Sequence, residues 1–176
     1  MIVFRGFLPI RPKAWQAPYF SKNRSFVSSD YKRWQSDIRL LLKSEITRCN
    51  WKGLPIKEAC YMITCFYMPV PKTIKKSDYY YLQFTNTPDV SNLKKGFEDA
   101  CKEVLFEDDK YIIGSIETKQ YAWDQEVGIL IILGTGLFTE CINEFNHLIH
   151  SANRQRSYKG FQAGIILKTD KGAGIS

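Results

Sequence analysis

The apolar positions change period several times along the chain, and each change predicts an element. MIVFRGFLPI opens as a short β-rich run. PIRPKAWQAP breaks it with three prolines, which predicts an extended basic loop carrying Arg11, Lys13 and Trp15. Tyr31, Trp34, Ile38, Leu41, Leu42, Glu45 and Ile46 then recur mainly at three- and four-residue steps, the stripe of an amphipathic helix that Ser28 or Ser29 can cap. Lys32, Arg33, Arg39 and Lys43 fall largely off that stripe, free to face solvent or phosphate.

CNWKGLP ends the helix, and KEACYMITCFYMPVP alternates as a strand. Cys60, Met62, Thr64 and Phe66 share one face; Tyr61, Ile63, Cys65 and Tyr67 share the other. Both faces are mostly apolar, so the strand belongs inside a sheet, and Pro69 and Pro71 stop it. A second helix is predicted over Asn92–Val104, with Leu93, Phe97, Ala100 and Val104 as its buried stripe and Ser91 as N-cap. DKYIIGSIETKQYAW and EVGILIIL read as two strands paired with each other around a turn at residues 123–125. A last amphipathic helix carries Phe138, Cys141, Ile142, Phe145, Leu148 and Ile149. The expected fold class is α+β: one domain over residues 1–153 with a mixed β-sheet and about three helices, then a basic, partly flexible segment over 154–176.

Composition agrees with a globular chain: 176 residues, 44% hydrophobic and 14% aromatic. No apolar run approaches the roughly 20 residues that span a bilayer, and the N-terminus lacks an export pattern. Cys49, Cys60, Cys65, Cys101 and Cys141 form no CxxC pair and no zinc spacing, so they read as reduced packing thiols in a cytoplasmic protein. His147 and His150 lie on the last predicted helix, away from any acidic motif. No Gly-rich phosphate loop and no Ser/His/Asp arrangement is present, and no small-molecule cofactor is implied.

Charge changes the picture more. The chain has a formal net charge of +7, yet residues 1–57 hold twelve Lys and Arg against only Asp30, Asp37 and Glu45. Either this is a solvated basic surface or it meets a polyanion. The loop KTIKKSDYYYLQFTNT mixes Lys72, Lys75 and Lys76 with Tyr79, Tyr80, Tyr81 and Phe84. Such lysines can meet phosphates while the rings stack on bases, or the rings can pack on their own domain. Against this basic background, seven carboxylates crowd into Asp89–Asp109, with only Lys94, Lys95 and Lys102 among them.

Gathered carboxylates repel one another unless a cation compensates. A hard divalent ion such as Mg²⁺ takes oxygen ligands and can activate water against a phosphate. Asp89 before a helix and Asp108–Asp109 before a strand are placed to hold such an ion; Glu98 and Glu103 read as solvated surface charges. Lys95 shares a helix face with Ser91, Asn92 and Asp99. Its ammonium can steady a transferring phosphate or simply pair with Asp99.

PDVSNLKKGFEDA, FEDDKYI and IETK together resemble the core of the RusA-type Holliday junction resolvases, metal-dependent endonucleases usually encoded by phages and prophages. RPKAW and YKRWQSDIR are similar to the family's opening, so the likeness covers most of residues 5–123. It implies a homodimer that nicks branched DNA symmetrically in the host cytoplasm, using Mg²⁺ or substituting Mn²⁺. Carried across by position, Asp89 is the first motif aspartate, Asn92 the motif asparagine and Lys95 the catalytic lysine. Asp99 is the aspartate of the Asp-Ala pair, Asp108 and Asp109 are the paired aspartates, and Lys119 is the strand lysine, grouped with Arg11, Lys13, Lys72, Lys75, Lys76 and Tyr81 as DNA contacts. Ser91 departs from the pattern, standing where the family usually has a second aspartate. The alternative is therefore a branched-DNA-binding module whose metal site has decayed.

Helix geometry adds a further expectation. A helix over Asn92–Val104 is roughly 20 Å long, and the five residues on to Asp109 reach about 17 Å at most. Asp89 and Asp109 therefore meet within one chain only through a shorter helix or a sharp return. Two antiparallel copies of the helix would instead bring Asp89 of one chain to the other's Asp109.

Overall fold

The computed structural model describes residues 1–21, 24–74, 85–122, 126–144 and 146–147. In chain order the elements are β1 (Ile2–Leu8), β2 (Tyr19–Ser21), β3 (Arg24–Phe26), α1 (Ser29–Arg48), β4 (Cys60–Met68), α2 (Val90–Cys101), a 3₁₀ turn at Asp109–Tyr111, β5 (Ile112–Tyr121) and β6 (Gly128–Thr135). Residues 138–144 are also helical. The fold is an α+β single domain with a mixed four-stranded sheet in the order β1-β6-β4-β5. None of its described helices is long and apolar enough to cross a membrane.

β4 lies in the interior, as its two apolar faces demand, antiparallel to β6 and parallel to β5. The expectation that β5 and β6 pair with each other is wrong: β4 separates them. A parallel pair needs a long crossover, and the segment carrying α2 between β4 and β5 supplies it. That crossover sends β5 to the sheet's edge, and β6 fills the gap between β4 and β1. Alternation alone marks a strand and says nothing of its neighbour.

The main core lies between one sheet face and α1 with α2. Trp34, Ile38 and Leu42 of α1 and Leu93, Phe97 and Ala100 of α2 are buried there against Phe4, Met62, Phe66 and Ile131. On the other face, Phe138, Cys141 and Ile142 pack with Ile63, Ile132 and Ile116, and the Phe138 and Tyr61 rings stack 4.7 Å apart. Phe145, Leu148 and Ile149 of the predicted last stripe, and the whole basic segment 154–176, lie outside the described residues.

Ser28 caps α1 as predicted, its side chain accepting from the Tyr31 N–H at 3.2 Å. The start of α2 differs. The helix begins at Val90, so Asp89 occupies the N-cap position and Ser91 sits inside the first turn. It also ends earlier, at Cys101, because Lys102 is extended and Glu103 adopts φ 67°, a left-handed conformation uncommon outside glycine. The chain then turns back: Glu103 N–H donates to Phe106 O at 2.7 Å, and Val104, Leu105 and Phe106 are buried. Val104 belongs to the core as the stripe requires, but through this turn.

The β2–β3 hairpin has no counterpart in the sequence reading. Strands of three residues are too short to show an alternating pattern.

Candidate functional site

Because β4 and β5 are parallel and α2 is the crossover between them, α2 runs antiparallel to β5 across the sheet. Its N-terminus lies by the end of β5 and its C-terminus by the start. The two ends carry the two halves of the acidic motif.

At the N-terminal end, Lys119 of β5 donates to the main-chain oxygens of Asn86 at 2.8 Å and Pro88 at 2.9 Å. Asn86 Nδ2 donates to the Tyr121 hydroxyl at 3.4 Å. These contacts fix the loop that delivers Asp89. Asp89 is exposed, and its carboxylate makes no capping hydrogen bond although it holds the N-cap position. Ser91 and Asn92 are exposed in the same turn, which contains no acidic residue.

At the C-terminal end, Lys102 pairs with Asp108 at 3.1 Å and Asp109 at 3.6 Å. Asp108 also accepts from the Lys110 N–H at 3.1 Å, capping the 3₁₀ turn. That hydrogen bond, followed by Lys102, holds the Asp108 carboxyl down at about 2. Asp99 and Glu98 are raised instead. Burial is the main cause for both, and the charge of Asp109 pushes each further up. Asp99 therefore groups with Asp109 and not with Asp89. The Arg39 guanidinium donates to Asp99 O at 3.2 Å, so Arg39 is tied to α2 and not left free for solvent or phosphate.

Between the ends, Lys94 lies under the helix. Its ammonium donates to Ser115 Oγ at 2.5 Å and sits 3.7 Å from Glu98 and 3.0 Å from Glu117 Oε1. Glu117 Oε1 is buried and off hydrogen-bond alignment, so its contact with Lys94 is an ion pair only. Glu98 is not the solvated surface charge expected: its side chain is only 17% exposed. Lys94, Glu117 and Ser115 escape a sequence reading because their partners lie some twenty residues apart. The motif's charge imbalance was the only available signal.

Lys95, the next residue, points elsewhere. Its ammonium stands over the Trp15 ring, 3.7 Å from the centroid. Among the described residues no ion pair within 4.0 Å joins it to Asp99, so the simple Lys95–Asp99 pair is not formed. Trp15 belongs to the loop before β2, which crosses α2 where Gly96 leaves room. A Cβ at residue 96 would lie 2.9 Å from Trp15 N and 3.2 Å from Lys13 O.

Among the DNA contacts expected from sequence, Arg11 and Lys72 are exposed. Lys13 pairs with Asp30 at 2.5 Å. Lys75, Lys76 and Tyr81 lie outside the described residues. Four of the five cysteines are buried and Cys49 is exposed.

Both escapes from the helix-length problem occur, since α2 is shorter than predicted and a sharp return follows it. Even so, Asp89 and Asp108–Asp109 remain at opposite ends of a twelve-residue helix about 18 Å long. Among the described residues no group of three or more His, Cys, Asp or Glu is arranged to hold a metal ion. Asp89, Asp108 and Asp109 therefore form no such group among the described residues.

No curated protein matches the chain. The model of the endodeoxyribonuclease RusA family matches residues 9–132, from the loop before β2 into β6, and the chain belongs to that family.

Proposed function

We propose that this chain is a divalent-metal-dependent endodeoxyribonuclease that resolves Holliday junctions by paired symmetric nicks, and that its active sites are shared across a homodimer. Family membership supports the nuclease class and the branched-DNA substrate. The observation that carries the shared site is the separation of Asp89 from Asp108 and Asp109 by the length of α2. Two metals in one site stand only about 4 Å apart, far less than that separation. A second copy with its α2 antiparallel brings Asp89 of one chain to the partner's Asp109, and two-fold symmetry makes two such sites, one per nicked strand.

Each chain residue has a distinct task in this reading. Asp89, Asp108 and Asp109 supply carboxylate oxygens to Mg²⁺, or to Mn²⁺ in its place. The bound ion supplies an activated water and charge neutralisation at the phosphate. Asn92 and Asp99 support the two ends of the site. Lys95 places positive charge beside the transferring phosphate. Arg11, Lys13 and Lys72, with Lys75, Lys76 and Tyr81, grip the strands. The proposed setting is the cytoplasm of a bacterial host, with the gene phage- or prophage-borne.

The test mixes Asp89→Asn and Asp109→Asn chains, each inactive alone. In a shared-site dimer the heterodimer keeps one intact site, so single nicking of a synthetic four-way junction returns in Mg²⁺. No recovery on mixing rejects the shared site. Asp109→Asn by itself is expected to abolish nicking and spare junction binding; full activity in Mg²⁺ rejects its assignment.

One observation favours a second reading. The first turn of α2 holds no carboxylate because residue 91 is serine, as in a binding module with a decayed metal site. That reading predicts tight junction binding without divalent-dependent nicking, and no gain from Ser91→Asp.

A further inference from the structure

Trp15 is held more firmly than a loop residue needs to be for packing alone. Its main-chain N–H donates to the main-chain oxygen of Asn92 at 2.8 Å, within the first turn of α2. The neighbouring loop backbone lies against Gly96 so closely that a Cβ there would collide with it. On the other side the loop is tied to α1: Trp34 Nε1 donates to Arg11 O at 2.9 Å, Lys13 pairs with Asp30, and Ser28 Oγ donates to Gln16 Oε1 at 2.6 Å. The outcome is an indole platform facing one side chain, the ammonium of Lys95.

From these contacts we propose that Trp15 is a positioning residue for Lys95, and that its ring sets where the ammonium stands before the phosphate arrives. The inference rests on the reading that Lys95 acts at the transferring phosphate. A lysine on an exposed helix face has four rotatable bonds and no preferred direction. The negative face of an indole confines it without neutralising it, which a carboxylate partner would do. The ring also has no group that titrates near neutral pH and no oxygen to compete for a metal. Asp99, one helical turn further on, feels the Lys95 charge without forming an ion pair with it, so the close contact to the ammonium is made by the ring and not by a carboxylate.

The experiment measures single-turnover nicking of a four-way junction by the full chain. The variants are Trp15→Ala, Trp15→Phe, Lys95→Ala and the Trp15→Ala/Lys95→Ala double. Trp15→Ala is expected to slow the nicking step about two- to fivefold, the range of an exposed cation–π contact, with junction affinity little changed. Trp15→Phe, which keeps a ring face, recovers most of the rate. In the Lys95→Ala background Trp15→Ala has no further effect. Loss by the same factor in that background overturns the inference while leaving the role of Lys95 intact. A Lys95→Ala enzyme that nicks at full rate overturns both. The contact itself is read by NMR of the ¹³C-lysine-labelled chain. The Lys95 Hε protons are shifted upfield by the ring, a shift kept in Trp15→Phe and lost in Trp15→Ala; an unshifted wild-type resonance overturns the proposal.

Discussion

Lys119, on the edge strand β5, reaches across to the carbonyl oxygen of Pro88, 2.9 Å away and one residue before Asp89. With its second bond to Asn86 O, the lysine acts as a clip on the segment that presents the N-terminal carboxylate of the site. Position in the motif alone groups this lysine with the DNA contacts. The geometry gives it a structural task, and the two roles predict different measurements.

Lys119→Met is expected to lower stability by about 1.5–3 kcal/mol, the scale of hydrogen bonds to a charged donor, and to slow nicking by loosening Asp89. The dependence of junction affinity on salt should stay unchanged. A decrease in the salt slope by about one would instead mark Lys119 as a phosphate contact.

Lys94 is the charge that α2 and β5 share, facing Glu98 and Glu117, each with a side chain only 17% exposed. Lys94→Met leaves both carboxylates facing each other without a cation. The expected loss is about 2–3 kcal/mol in urea unfolding, somewhat below the figure for a fully buried pair. Adding Glu117→Gln should restore part of it; an additive further loss would show that the two residues are not coupled.

Two carboxyls give opposite pH dependences. Burial raises Glu98 above its ordinary 4.5, so the folded state holds a proton that the unfolded state has lost. Its contribution therefore makes stability fall as pH rises from about 4.5 through the raised value, and Glu98→Gln should remove that slope. Asp108 is held down at about 2 against an ordinary 3.8, chiefly by the Lys110 N–H. Its stabilisation is present above 3.8 and lost as pH falls through about 2, and Asp108→Asn should flatten that acid limb. Melting temperatures of the three proteins between pH 2 and 7 check both signs.

Gly96→Ala sets helix propensity against packing. Alanine favours the helix by about 1 kcal/mol, but its Cβ would stand 2.9 Å from Trp15 N and 3.0 Å from the Tyr31 hydroxyl. Overpacking against backbone costs about 1–3 kcal/mol, so a net loss of about 1 kcal/mol and slower nicking are expected. A gain in stability would mean that the loop can move off the helix.

The residue pattern by itself determined the apolar stripe and Ser28 cap of α1, the interior character of β4, the carboxylate-rich helical motif and the α+β class. These follow from period, from turn residues and from local charge, and all three are written in neighbouring positions. Only the tertiary structure decided that β4 stands between β5 and β6, because pairing depends on which edges the crossover leaves open. Only it ended α2 at Cys101, where the buried Val104–Phe106 turn outweighs the helical stripe. It also drew Glu98 and Lys94 beneath the helix and Lys95 onto Trp15, partners fixed by the packing of α2 on β5 and on the loop before β2. Asp89 and Asp109 are twenty residues apart in the chain, and one rigid helix keeps them apart in space.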